Sequence, residues 1–302
     1  METGKRQIAE ASESWGRALL IACDTETIAL FAEPPNTAQI SDNLRMFFLL
    51  SPAKSLDYDT PAPKELTHTL PQFTAQSKQL IELLRPMSDC QISELMDLSD
   101  QLTALNVARY AAWSPKFSAK NSKQAILAFN GDVYEGLDAK SLKAADLEWA
   151  QEHLLMLSGL YGALRPLDWM QPYRLEMGTK LANAQGSNLY KFWGTQISEH
   201  LNAQLAAEKN PVVVNLASNE YFKVVDRKAL KARVVECVFE EGKAGQYKVI
   251  SFFAKHARGM MARYAIQKRI KDVKKLQAFN ESGYAFDAKI SEEDRYVFRR
   301  QA

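Results

Sequence analysis

The sequence predicts an α/β protein: a single large domain with a mixed β-sheet surrounded by helices and a helix-hairpin-helix-like element. Three observations point there. Short apolar runs that read as buried strands alternate with amphipathic segments of helical length. Two of those runs, 234–239 and 247–253, are joined by Glu241-Gly242-Lys243-Ala244-Gly245 and read as an antiparallel hairpin, which makes the sheet mixed. The composition is globular: 302 residues, 46% hydrophobic and 25% charged, with 38 Lys and Arg against 36 Asp and Glu. With 13 Gly and 11 Pro, the chain is neither collagen-like nor of low complexity.

Residues 1–45 differ from the rest, with four basic and seven acidic residues in a chain whose net charge is +2. Pro34 and Pro35 remove backbone donors and exclude regular structure around them. The pattern changes at Met46, where Met46-Phe47-Phe48-Leu49-Leu50 reads as a buried strand closed by Ser51-Pro52. Residues 1–45 are therefore expected to lie outside the fold, disordered or upstream of a true start at Met46, with 46–302 as one domain. The opposing reading is an extra N-terminal helix built around 15–21. Further strands are expected at 125–129, 212–216, 234–239 and 247–253. Helices are expected at 74–85, 92–111, 146–158, 189–207 and 255–270.

Polar clusters follow the strands: Ser51 to Asp57, Asn130 to Gly136, Ala217 to Phe222, and Ala254 to Gly259. In open α/β sheets, ligands bind outside the carboxyl ends of the strands. Ser51-Pro52 and Ser218-Asn219-Glu220 also look like helix starts, where free backbone N–H groups favour anions. Lys54 in such a first turn opposes the helix dipole, a cost that an anionic partner offsets. Cap and turn residues serving only the fold explain any one cluster better; four clusters after four strands bring the two readings about level.

From Lys255 to Lys275 there are eight Lys and Arg and one acid, Asp272. At helical spacing Ala257, Met260, Met261 and Tyr264 fall opposite Lys255 and Arg258. Such a field attracts phosphates, and the lack of acids at i±4 argues against a merely salt-bridged surface. A third segment, from Leu154 to Asp168, reads as an apolar helix ending in Ser158-Gly159-Leu160-Tyr161-Gly162, then Arg165. It resembles a helix-hairpin-helix, in which glycines let backbone N–H groups approach a phosphate. Its glycines are spaced three apart, not the usual two, and a helix C-cap with an ordinary turn explains it as well.

The four histidines are scattered and Cys23, Cys90 and Cys237 form no CxxC pair, so no metal site is expected. No GxGxxG, Walker loop or GxSxG elbow appears, and no cofactor is expected. The apolar stretch 19–32 is interrupted by Asp24 and Glu26 and is too short to span a bilayer. With no secretory leader pattern either, a cytoplasmic protein is expected.

These segments together resemble the bacterial YaaA family of peroxide-stress proteins. The matching stretches are LSPAKSLDY at 50–58, FNGDVY at 129–134, LSGLYG at 157–162, RPLD at 165–168 and PYRLEMG at 172–178. They continue with FWG at 192–194, NLASNEYF at 215–222, ISFFAKHARG at 250–259 and GYAF at 283–286. The resemblance implies a role in protecting DNA and proteins during hydrogen peroxide stress by lowering free intracellular iron. It also implies DNA binding through a positively charged cleft and the helix-hairpin-helix-like element, here Ser158 to Arg165.

Two readings follow. In the first, a monomer binds the phosphate backbone of duplex or junction DNA without base readout. Charge comes from Lys54, Lys255, Arg258, Arg263, Arg269, Arg165 and Arg174, and backbone donors from Ser158, Gly159, Tyr161 and Gly162. In the second, the strand-end crevice takes a nucleotide-like ligand held by Lys54, Arg174 and Lys255. Asp57, Asp132 or Glu220 then serves as a general base or a metal-holding carboxylate.

Overall fold

In the computed structural model, which describes residues 45–301, the run Met46–Leu50 is the central strand β1, buried along its whole length. The expectation for residues 1–45 falls, Arg45 apart, outside the described residues. Seven more strands complete the sheet: β2 (Leu154–Ser158), β3 (Gly162–Leu164), β4 (Val212–Asn215), β5 (Arg233–Lys243), β6 (Gln246–Lys248), β7 (Ala285–Phe286) and β8 (Arg295–Gln301). Their spatial order is β7-β8-β5-β4-β1-β2-β3, with β6 folded back on β5. The five strands from β8 to β2 are mutually parallel, and β3, β6 and β7 run antiparallel to their neighbours. A strand covered on both faces needs no polar alternation, which is why MFFLL and VVVN serve at the centre. The sheet is mixed, as the sequence predicts.

Among the described residues eight main helices surround it: α1 (Thr74–Leu84), α2 (Asp89–Met96), α3 (Asp100–Ala112), α4 (Asp132–Leu137), α5 (Ala144–His153), α6 (Leu189–Trp193), α7 (Gln196–Gln204) and α8 (Ser251–Gln267). The helix expected at 92–111 is two, because Asp97 adopts a left-handed conformation and Ser99 begins a new helix. The one expected at 189–207 breaks at Gly194 for the same backbone reason. The run 125–129 joins the main sheet nowhere. It forms a buried helical turn, Ala125–Ala128, followed by Phe129–Asn130 paired with Ser55–Leu56.

Around β5 the expected hairpin is present, closed by Ala244 and Gly245 with Lys243 opposite Gln246. Its second strand ends at Lys248, and residues 251–253 open α8 instead. The main correction concerns the helix-hairpin-helix-like element. Helix α5 stops at His153, and Leu154–Ser158 is strand β2, so no helix precedes the glycines. Ser158 pairs with Gly162 across a tight turn, and β3 leads on without a second helix. The turn is also buried. Tyr161 N donates to Ser158 Oγ (2.9 Å), and Trp193 Nε1 donates to the Gly159 carbonyl (3.0 Å). Gly162 has φ of +68°, and a β-carbon there would fall 2.7 Å from the Trp193 ring. These glycines let a hairpin pack under an indole, and their backbone is turned to the core.

Candidate functional site

The crevice is built where parallel strands end. Because β1 and β4 are neighbours with Leu49 opposite Asn215, the residues that follow them emerge side by side. Ser218 N donates to Ser51 Oγ (2.8 Å), and the two hydroxyl oxygens are 3.2 Å apart. Ser218 also caps the single turn Asn219–Phe222 by accepting from Tyr221 N. From the α4 side, the Tyr134 hydroxyl donates to the Ser51 carbonyl (3.0 Å), and burial pushes that phenol well above its ordinary pKa. It therefore stays neutral and works as a donor.

Cations and carboxylates alternate around this core. Glu176 accepts from Lys54 Nζ at 3.2 Å on one oxygen and from Arg174 at 3.0 Å on the other. Glu220 Oε1 accepts from Gly178 N (2.9 Å), tying the 174–178 loop to the end of β4. On the other side Gly131 packs against Ala53, and Asp132, the first residue of α4, faces Lys255 Nζ at 3.8 Å. Helices α4 and α8 run in near-backbone contact, with Gly136 against the His256 carbonyl and Gly259 against the Val133 carbonyl. That contact fixes Lys255 beside Asp132.

Arg258, one turn after Lys255, turns inward toward Glu236 and Cys237 of β5. Burial lowers its guanidinium pKa from the ordinary value, and Glu236 partly restores it. Its Nε is buried and has no hydrogen-bond partner among the described residues. Leaving a buried donor unmade is costly, so an orphan here marks a place where an acceptor is expected. Lys54 and Lys255 hold the outer edge, with 64% and 51% of their side chains exposed. Arg174 lies mostly beneath the surface, its carbonyl accepting from the Tyr110 hydroxyl.

The remaining expected cations are elsewhere. Arg263 donates to the Leu137 and Asp138 carbonyls at the C-terminus of α4 (3.0 and 2.8 Å) and to Ser141 Oγ (2.7 Å). Arg269 pairs with Asp146 at 2.8 Å and lies over the Trp149 ring, near His153 at the start of β2. Arg165 pairs with Asp168 at 3.2 Å and lies within electrostatic reach of Arg45, which precedes β1. Arg165 and Arg269 thus sit at the amino ends of the strands, across the sheet from Lys54. Ser158, Gly159, Tyr161 and Gly162 are buried. The basic run is spread out along the molecule, since its helical part, 255–267, alone spans about 20 Å.

Among the candidate carboxylates, Asp132 and Glu220 line the crevice and Asp57 does not. Asp57 accepts from Lys140 (2.9 Å) and Thr60 N (2.9 Å), with Lys123 at 3.5 Å, and lines a cavity of about 200 Å³ together with Asn130, Tyr134 and Lys140. The Lys140 and Thr60 hydrogen bonds hold its carboxyl well below the usual range, which leaves it a poor base. Lys123, buried, donates to the Asp57 and Thr60 carbonyls at 2.6 and 2.7 Å. Sequence reasoning missed Glu176 and Tyr134 as crevice residues; both lie inside quoted motifs, but only the fold shows which side chains point inward. Among the described residues, no group of three His, Cys, Asp or Glu is placed to hold a metal ion. No helix there is long and apolar enough to cross a membrane.

Comparison with known proteins places these motifs. The family model described as peroxide stress protein YaaA matches residues 46–290. A UPF0246 protein of Polaromonas sp. (strain JS666 / ATCC BAA-500) is 66% identical over 256 residues, covering 85% of this chain and 99% of the relative. A UPF0246 protein of Paracidovorax citrulli (strain AAC00-1) is 65% identical over 256 residues with the same coverage, and one of Delftia acidovorans (strain DSM 14801 / SPH-1) is 63% identical over 258. The chain belongs to the YaaA family of peroxide stress proteins.

Proposed function

We propose that the protein acts in the cytoplasmic response to hydrogen peroxide, protecting DNA and proteins by lowering free intracellular iron, and that it binds DNA through phosphate contacts at the strand-end crevice. The working unit is residues 46–302, acting as a monomer. The role in iron rests on the family resemblance; the DNA contact rests on the crevice itself. The observation that carries it is the placement of Lys54, Arg174, Lys255 and Arg258 around one strand end, with the Arg258 Nε unpartnered.

The pairing with Glu176 and Asp132 does not close the crevice to phosphate. Exposed ion pairs are worth at most about 1 kcal/mol, so the rim lysines can exchange a carboxylate for a phosphate at small cost. Arg165, Arg263, Arg269 and the Ser158–Gly162 hairpin are left out of this interface. The test is equilibrium binding of duplex and four-way junction DNA across a salt series, comparing wild type with Lys255→Ala/Arg258→Ala. Loss of two phosphate contacts lowers the slope of log K against log salt by about 1.8. An unchanged affinity and slope eliminates the interface.

A second reading keeps the crevice and changes the ligand. Carboxylates of Glu176, Glu220 and Asp132 stand among the cations, a mixture suited to a small nucleotide-like phosphate more than to a long polyanion. Arg174 and Arg258 would hold the phosphate, and Asp132 or Glu220 would accept a proton or a metal. Thermal shift with a nucleotide and divalent-metal panel separates the readings; a raised midpoint with one nucleotide and none with DNA favours the second.

A further inference from the structure

Six large apolar side chains are exposed among the described residues, and three of them, Val249, Phe252 and Phe253, fall within five consecutive positions at the start of α8. Phe252 is 56% exposed, Val249 52% and Phe253 37%. A cluster of this kind is costly in water and marks a binding surface. The two phenyl rings meet edge to face at 5.5 Å, so one cannot cover the other. Phe253 is braced by the Arg300 guanidinium, 4.8 Å from its ring centroid, and Arg300 is itself fixed by Glu241 at 2.7 Å. Among the described residues no cation lies over the Phe252 ring.

The surroundings limit what can bind there. Lys255 follows Phe252 by three positions and shares its side of the helix. Lys243 and Lys248 are exposed on the adjoining hairpin. The nearby carboxylates of Glu240 and Glu241 are already engaged by Arg299 and Arg300. An aromatic face among cations matches a strand of nucleic acid: phosphates meet the lysines and a base lies on the ring. A paired base in a duplex keeps its faces stacked and is closed to this contact.

We propose that Phe252 is a stacking platform for an unpaired base, and that the preferred partner is single-stranded DNA running from Phe252 across Lys255 into the crevice. This rests on the phosphate reading given above and adds the form of DNA. Every base has a π-face, so no base sequence is read.

The experiment uses the full chain and a 12-nucleotide strand carrying one 2-aminopurine, free or annealed to its complement. Wild type is expected to bind the single strand more tightly than the duplex and to quench the probe. Phe252→Ala is expected to weaken single-strand binding about tenfold and to abolish quenching, with the duplex affinity and salt slope unchanged. Phe252→Trp restores both. Circular dichroism and a melting midpoint confirm that the variants fold. Equal losses on single strand and duplex, or no loss on either, overturn the stacking role while leaving the phosphate contact standing. Wild type that binds neither DNA overturns both. Concentration-dependent dimerisation that Phe252→Ala abolishes, without change in DNA affinity, gives the surface to a second copy and also overturns the proposal.

Discussion

Gly259 of α8 lies against Val133 of α4, so close that a β-carbon at 259 would fall 1.8 Å from the Val133 carbonyl oxygen. The contact is backbone on backbone and has no soft side chain to yield. Gly136 mirrors it from the other helix, against the His256 carbonyl. Through this pair the fold sets the distance between Asp132 and Lys255 at the edge of the crevice.

Gly259→Ala is therefore expected to push the helices apart and destabilise the protein by about 2–3 kcal/mol, the upper part of the range for overpacking. Thermal unfolding checks it, with a midpoint lowered by several degrees. A variant that melts with wild type shows the helices separating freely.

Glu176→Gln is expected to strengthen DNA binding several-fold and steepen its salt dependence. The carboxylate bound to Lys54 and Arg174 competes with phosphate, and the amide does not. Fluorescence anisotropy at two salt concentrations reads both quantities. Weaker binding shows instead that Glu176 positions the cations.

His153 is buried between α5 and β2, stacked on Trp149, with Nδ1 3.1 Å from the Met46 carbonyl. Burial lowers its pKa from 6.5 to about 4, partly offset by the Met46 hydrogen bond. The unfolded chain binds this proton more readily than the folded one, so the contribution of His153 to stability is full above about pH 6.5 and is lost as pH falls toward 4. NMR is expected to show no His153 titration between pH 8 and 5.5. His153→Gln flattens the stability profile over the acid part of that window.

Asp57 loses its contribution over a lower pH window than His153. With a folded pKa held well below the ordinary carboxylate value, its contribution is present above about pH 4 and is lost below that. Asp57→Asn is expected to lower the urea midpoint at pH 7, and the gap to wild type narrows below pH 4. A gap independent of pH assigns the loss to packing.

The strands at 46–50, 212–216 and 234–239, and with them the mixed sheet, are legible in the sequence because short runs of aromatic and branched apolar residues suit buried strands; the run 125–129, with two alanines, forms a helical turn instead. Leu154–Ser158 was not legible, since a short apolar run suits a helix and a buried strand equally, and only the ladder to Phe48 and Leu49 decides. Strand β8 was missed because RYVFRRQ places Tyr296, Val297 and Phe298 inside while its arginines reach Glu240 and Glu241 on β5. The basic run Lys255–Lys275 reads as one patch in sequence, but a long helix carries it from one end of the sheet to the other. Charge density along the chain does not tell which arginines cap a helix, as Arg263 does.

The placement of the DNA contact is tested most directly by hydrogen exchange with and without DNA. Protection is expected at 51–55, 174–178, 218–221 and the first two turns of α8, where the strands end. Protection instead around Arg165, Asp146 and Arg269, at the amino ends of the strands, would contradict the crevice as the phosphate site.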